Sequence, residues 1–334
     1  MSGELGLAGA SLLSLQDLSD AQMLGLVDFA KRLKEERRQN RTSRQGRLTG
    51  RHIALLFEKA STRTRCATVV AAYDEGASAA YLGKNDIHLG KKESVADTAR
   101  VLGRMFDGIM FRGFAQRTVE QLAEHAGVPV WNGLTDRFHP TQILADLLTV
   151  REHFSRLQGL KLVYAGDGRN NVACSLMLGC AKAGMHMVNC CPEELEPAPA
   201  WVQTTGELAA ANGGSVSVLN DPHEAVQQAN VVYTDVWVSM GEEDKYQQRL
   251  ALLRPYQITM DLMRQAGNLN SDDVIFLHCL PAFHDNNTQM TRETGALEVA
   301  DEVFEAPFSK VFDQAENRMH TIKAVMVASL NGGR

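Results

Sequence analysis

The sequence predicts an α/β protein of two doubly wound domains, each a parallel sheet flanked by helices. Three observations lead there. Short, almost continuously apolar runs such as His52-Ile53-Ala54-Leu55-Leu56-Phe57 have the pattern of a parallel strand covered on both faces, and they alternate with stretches of helical spacing. The alternation pauses at 155–159 and restarts with Leu160-Lys161-Leu162-Val163-Tyr164-Ala165, which places a domain boundary after 154. The length, 334 residues at 44% hydrophobic and 22% charged, suits about two domains with substantial cores.

In chain order, a helix is expected over 14–34, with Ser19 as cap and Met23, Leu26, Val27, Ala30 and Leu33 on one stripe. The strand over 52–57 leads to a helix carrying Cys66, Val69, Val70 and Tyr73. A strand at 79–82, a glycine-punctuated loop over 83–93 and a helix capped by Ser94 follow. Strands at 108–111 and 128–131 bracket a helix over 118–126, and Pro140 opens a helix to 154. The second half gives strands at 160–165, 187–191, 215–218, 231–234 and 274–277, with helices after the first, over 199–211 and over 223–229. A terminal helix opens at Asn317, with Arg318 at its start and Ile322, Val325, Met326 and Leu330 in phase.

Composition narrows the function. The net charge of -6 gives no general attraction to nucleic acid or anionic membrane. The basic segment 31–51 lacks the interleaved aromatic residues of a stacking platform and reads as a solvated helix face and loop. Cys66, Cys174, Cys180, Cys190, Cys191 and Cys279 show no C-x-x-C spacing, as suits a reducing cytosol. With no signal-like start and no run of membrane-spanning length, the chain reads as soluble and cytoplasmic. The Gly166-x-Gly168 pair lacks the third glycine of a dinucleotide fingerprint, since Asn171 stands there, so no nicotinamide cofactor is expected.

The chemistry gathers where strands end. Ser61, Thr62, Arg63, Thr64 and Arg65 fall at a strand-to-helix turn, where backbone N–H groups without intrahelical partners and a positive dipole end favour an anion such as phosphate. Arg112 ends a strand, and His139 and Gln142 share one side of a helix start. In the second half Asp235 ends a buried strand and suits an ammonium group. Ser239, near Gly241, suits a carboxylate, and His278-Cys279-Leu280-Pro281 reaches the same edge.

The Ser61-Thr62-Arg63-Thr64-Arg65 turn, His139-Pro140-Thr141-Gln142, Asp235 with Ser239-Met240-Gly241, and His278-Cys279-Leu280-Pro281 together resemble the aspartate/ornithine carbamoyltransferase family, the last two its ornithine branch. The resemblance runs from about 14 to 330. It implies a carbamoyl phosphate-binding domain over 1–154 joined by a C-terminal helix, 317–334, that returns to it, and an ornithine-binding domain over 155–316. The implied reaction converts carbamoyl phosphate and L-ornithine into L-citrulline and phosphate, in arginine biosynthesis or catabolism, with no metal and no organic cofactor. Carbamoyl phosphate would be bound by Ser61, Thr62, Arg63, Thr64, Arg65, Arg112, His139, Gln142, Cys279, Leu280 and Arg318, with His88 supplied by a neighbouring subunit of a homotrimer or a multiple of trimers. Asn171, Asp235, Ser239 and Met240 would bind ornithine, and Arg112, His139, Cys279 and Arg318 would serve catalysis. Negative charge growing on the carbonyl oxygen and the departing phosphate suits fixed cations in a drier cleft rather than a covalent intermediate.

Overall fold

The computed structural model describes residues 5–39, 46–87, 89–90, 92–238, 246–267 and 269–331. His88, Ser239 and Met240, expected at the site, lie outside them. The chain divides into two compact units, Met1–Leu148 with Glu316–Arg334, and Thr149–Ala315.

The first unit is built on a sheet of β1 (His52–Phe57), β2 (Ser78–Gly83), β3 (Gly108–Arg112) and β4 (Val130–Leu134), ordered β2-β1-β3-β4 and parallel throughout. β1 and β3 are buried almost end to end, which is why they read as unbroken apolar runs. Around them lie α1 (Asp20–Gln39), α2 (Thr62–Asp74), α3 (Val95–Met105), α4 (Gln116–Ala126) and the start of α5 (Pro140–Phe154). The second unit has β5 (Lys161–Ala165), β6 (His186–Cys190), β7 (Ser215–Leu219), β8 (Val231–Thr234) and β9 (Ile275–His278), parallel in the order β7-β6-β5-β8-β9. Its helices include α6 (Asn171–Lys182), α7 (Pro199–Ala211), α8 (Pro222–Ala225), α9 (Tyr246–Leu253), α10 (Met260–Ala266) and α11 (Asp301–Phe304). The two doubly wound α/β sheets are those the sequence predicts, and the last helix, α12 (Val311–Leu330), returns to the first unit from Glu316 onward.

Three expectations need correction. The first helix begins at Asp20, behind a reciprocal cap in which the Ser19 hydroxyl accepts from the Gln22 amide and the Gln22 side chain accepts from the Ser19 amide. Residues Leu15–Asp17 form a separate 3-10 turn with its own Ser14 cap, because Leu18 returns to extended backbone. The helix expected over 223–229 is the short α8, and Gln228, at φ 58°, has left-handed backbone. α12 begins at Val311, so Arg318 sits two turns inside the helix, where its side chain is held by packing rather than by a helix end.

That placement is anchored by buried charge. Lys323 on α12 donates to Asp74 at 2.7 Å, which joins the helix to the last residue of α2, and Lys34 on α1 donates to Asn317 at 2.7 Å. All of these groups belong to the first unit. A second constraint is close approach: a Cβ on Gly103 of α3 would lie 1.7 Å from the Ala126 carbonyl oxygen at the end of α4. Alanine normally stabilises a helix interior by roughly 0.5–1 kcal/mol over glycine. Here Gly103→Ala is expected to lower stability by about 1–3 kcal/mol through overpacking, read from denaturant midpoints; a gain would contradict the close packing of α3 on α4.

Candidate active site

In the first sheet the chain adds β2 on one side of β1 and then returns to add β3 on the other. Ligands of open α/β sheets bind at the carboxyl ends where strand order reverses, because the flanking loops part there. Phe57 pairs with Arg112 in register, so the turn after β1 and the last residue of β3 meet at that point. Ser61 caps α2, its hydroxyl accepting from the Thr64 amide at 3.2 Å. Thr64 then turns inward, and two guanidiniums converge on its hydroxyl: Arg318 Nη2 donates at 2.9 Å and Arg112 Nη1 at 3.4 Å. Arg112 also reaches the Gly133 carbonyl, and Gly133 has to be glycine: a Cβ there would lie 3.0 Å from the Thr64 methyl and 2.9 Å from the Phe111 carbonyl oxygen.

Arg318 organises the rest of this cluster. Its Nη1 donates to Gln142 Oε1 at 2.6 Å and approaches His139 Nε2 at 3.5 Å, while Gln142 Nε2 donates onward to Asp146 at 2.8 Å. Thr64, Arg112, His139, Gln142 and Arg318 are all buried. Burial pushes the His139 imidazole well below its ordinary value, and Arg318, Arg112 and Arg63 push the same way, so the ring stays neutral. Like charges meeting at one hydroxyl in a desolvated place favour a multiply charged anion with carbonyl or phosphoryl oxygens to share. Arg65 is directed otherwise: its guanidinium lies over the Tyr81 ring, 3.9 Å from the centroid, beside a hollow of about 370 Å³ lined by residues that include Phe57, Glu58, Lys84 and Asp86.

The second sheet repeats the reversal at β5, with β6 on one side and β8 on the other. Ala165 pairs with Thr234, which sets the turn after β5 beside Asp235. Asn170, the cap of α6, accepts from the Val172 amide and donates to Asp235 Oδ2 at 3.1 Å. Asn170, which meets Asp235, was not among the residues expected at the site, and the capping preference for Asn just before the helical run is the signal that could have found it. β9, next to β8, delivers Cys279, whose thiol donates to Asp235 Oδ1 at 3.0 Å. Burial raises the Asp235 carboxyl above its ordinary value, against the pull of His278, the Cys279 thiol and the Val236 amide. Arg249 and Asp167, also outside the sequence reading, form a 2.6 Å ion pair at the turn after β5.

Asp235, His278 and Cys279 place donor atoms within 4.8 Å of one another, as do the more exposed His284, Asp301 and Glu305. However, both ring nitrogens of His278 are engaged by protein groups, Nδ1 by the Leu280 amide and Nε2 by Glu298. No helix among the described residues is long and apolar enough to cross a membrane.

Comparison with known proteins gives the family. A family model described as the carbamoyl-P binding domain of aspartate/ornithine carbamoyltransferase matches residues 10–152, and one described as the Asp/Orn binding domain matches 158–329. A catabolic ornithine carbamoyltransferase of Bacillus licheniformis is 57% identical, with 99% of each chain covered, and one of Streptococcus gordonii is 55% identical, with 96% of each covered. The solved ornithine carbamoyltransferase from Pyrococcus furiosus superposes with a TM-score of 0.90 at 41% identity, over 98% of this chain and 99% of that one. The chain belongs to the aspartate/ornithine carbamoyltransferase family. It is a carbamoyltransferase.

The histidines make a prediction. His320, on α12 beside Arg318's turn, is pushed down to about 4, chiefly by burial. Because the folded chain holds this ring and His139 below the ordinary histidine value, the unfolded chain binds more protons at mildly acidic pH. The contribution of His320 is intact above about pH 6.5 and is lost as pH falls toward about 4, and that of His139 is lost in the same direction. Urea midpoints are expected to drop over that window, with a shallower drop in His320→Gln; an identical slope in the variant would contradict the account.

Proposed function

We propose that the chain transfers the carbamoyl group of carbamoyl phosphate to the δ-amine of L-ornithine, giving L-citrulline and phosphate. The neutral amine attacks the carbonyl carbon, the bond to the phosphate oxygen breaks with its electrons leaving on phosphate, and the amine gives up a proton. The unit Met1–Leu148 with Glu316–Arg334 takes carbamoyl phosphate, and Thr149–Ala315 takes the amino acid. Ser61 to Arg65 hold the phosphate, with Arg65 moving from Tyr81 or acting at the rim. Arg112, His139 and Arg318 stabilise the charge growing on the carbonyl oxygen, and Gln142 orients the carbamoyl amide. No metal or organic cofactor takes part in this scheme, and the protein is cytoplasmic.

The observation that carries the choice of ornithine is Asp235. A buried carboxylate held by Asn170 and the Cys279 thiol is a receptor for an ammonium group, which carbamoylation of aspartate or putrescine would use differently. Ser239 and Met240 receive the α-carboxylate on the strength of the sequence, as His88 does its role from a neighbouring subunit of a homotrimer. The proton on Cys279 points at a carboxylate already shared with other donors, which makes the thiol a hydrogen-bond donor rather than a nucleophile.

A citrulline-forming assay, run beside carbamoylputrescine and carbamoylaspartate formation and in the citrulline-consuming direction, tests the assignment. Arg63→Ala is expected to lose saturation by carbamoyl phosphate. Asp235→Asn is expected to raise the ornithine KM by roughly ten- to a hundredfold, the cost of weakening a charged hydrogen bond, with little change in the carbamoyl phosphate KM. Unchanged ornithine kinetics in that variant would remove Asp235 from the reading.

A further inference from the structure

We propose that the hydroxyl of Tyr164 is a further binding group for the amino-acid substrate, accepting a hydrogen bond from the α-ammonium group that Asp235 holds by charge. The inference rests on the reading above, in which the δ-amine reacts as a neutral group and the α-amine stays charged.

Tyr164 lies on β5 and pairs in register with Tyr233 of β8 and Asn189 of β6. Alternate residues of a strand face opposite sides of the sheet. Val163, Ala165 and Val232 belong to the core packed on one side. Tyr164 and Tyr233 therefore face the other, where their ring centroids lie 6.1 Å apart. Carried past the strand ends, the same alternation puts Gly166 on the side of Tyr164 and Asp235 on the side of Tyr233. The Tyr164 ring leans toward that edge: a Cβ on Gly166 would stand 3.3 Å from its hydroxyl oxygen. Neighbouring strands run about 4.8 Å apart and Ala165 pairs with Thr234, so a group held by Asp235 is within reach of that hydroxyl.

Tyr164 is fully buried, and among the described residues its hydroxyl has no hydrogen-bond partner. The Tyr233 hydroxyl beside it has one, accepting from Gln314 Nε2 at 3.1 Å. Packing alone gives no reason for a hydroxyl at Tyr164, since phenylalanine fills the same space without desolvating a polar group. A ligand does give one. Asp235 already accepts from the Asn170 side chain, the Val236 amide and the Cys279 thiol. An ammonium group with three N–H donors finds its charge partner there but needs further acceptors. A neutral hydroxyl supplies one without setting a second negative charge beside Asp235. Burial, with Asp235 and then Asp167, holds the Tyr164 hydroxyl well above its ordinary value. It stays protonated and so serves as a hydrogen-bonding group rather than as a base.

Tyr164→Phe in the full-length enzyme removes the oxygen and keeps the ring. The KM for ornithine and the inhibition constant of 2-aminopentanoate, which has the α-ammonium group but no δ-amine, are expected to rise together by about ten- to a hundredfold, the size of one hydrogen bond to a charged group. The carbamoyl phosphate KM is expected to stay within about twofold of the parent, and kcat to fall far less than ornithine affinity, because the hydroxyl meets neither the phosphate nor the reacting atoms. The urea midpoint of the free variant is expected at or above that of the parent, since an unmet hydroxyl is no longer buried. A merely structural hydroxyl would give the opposite pattern, with a lower midpoint and both KM values raised. That pattern, or parent-like constants for ornithine and 2-aminopentanoate, would overturn the proposal. If the parent enzyme formed no citrulline, the functional reading would fall. Calorimetric binding of 2-aminopentanoate to parent and variant, with carbamoyl phosphate present, would then decide the role of the hydroxyl by itself: equal affinities, or no binding to either, would sink it.

Discussion

Each sheet starts from a strand that ends up inside it, because the chain builds outward on one side and then returns to the other. That reversal is the constraint on which the chemistry depends. At β1 it parts the crossovers so that the capped start of α2 and the end of β3 meet, and at β5 it sets the cap of α6 beside Asp235. Neither meeting is a local property of the chain. Thr64 and Arg112 are far apart in sequence, as are Asn170 and Asp235, and only the order of parallel pairing makes them neighbours.

The reversal alone would leave these groups loosely placed, and desolvated polar contacts fix them. Arg318 touches Thr64, Gln142, Thr141 and His139 from one guanidinium, so a single side chain of α12 sets the relative positions of two helix starts. Its own helix is tied down at Asp74 by Lys323 and at Lys34 by Asn317. Burial that would be costly for isolated charges is offset by this sharing, and it holds His139 neutral beside three arginines. In the second unit the corresponding economy is a carboxylate with several donors, in which Asp235 accepts from an amide side chain, a backbone amide and a thiol. An anion-shaped group of cations in one unit and an ammonium-shaped carboxylate in the other are complementary to a phosphorylated carbonyl compound and an amine.

The strands were legible because both faces of β1, β3, β5, β8 and β9 are covered, which writes burial into the sequence as unbroken apolar runs. Helix starts at Pro140 and behind Ser61 and Ser94 were legible from capping chemistry. Arg112, His139, Gln142, Asp235 and Cys279 were legible as polar residues at strand or helix ends. The start of α12 was not, because the residues from Val311 to Glu316 carry no cap signature and their helicity comes from packing. Asn170 was not legible, since its capping role gave no sign of the contact with Asp235. Glu298 gave no sequence signal at all: an acid between Leu297 and Val299 reads as a surface residue until its partners, twenty and fifteen positions away, are seen.

By itself the sequence determined the class of most elements, the doubly wound character of both halves and the polar groups that stand at strand and helix ends, because hydrophobic period and capping are short-range physics. Tertiary structure alone decided which of those groups meet: that Arg318 and Arg112 share one hydroxyl, that Asn170 reaches Asp235, and that Glu298 meets His278. The reason is that hydrogen-bond partnership depends on distances of about 3 Å between atoms that chain order leaves undetermined, and only the register of paired strands and the packing of helices upon them sets those distances.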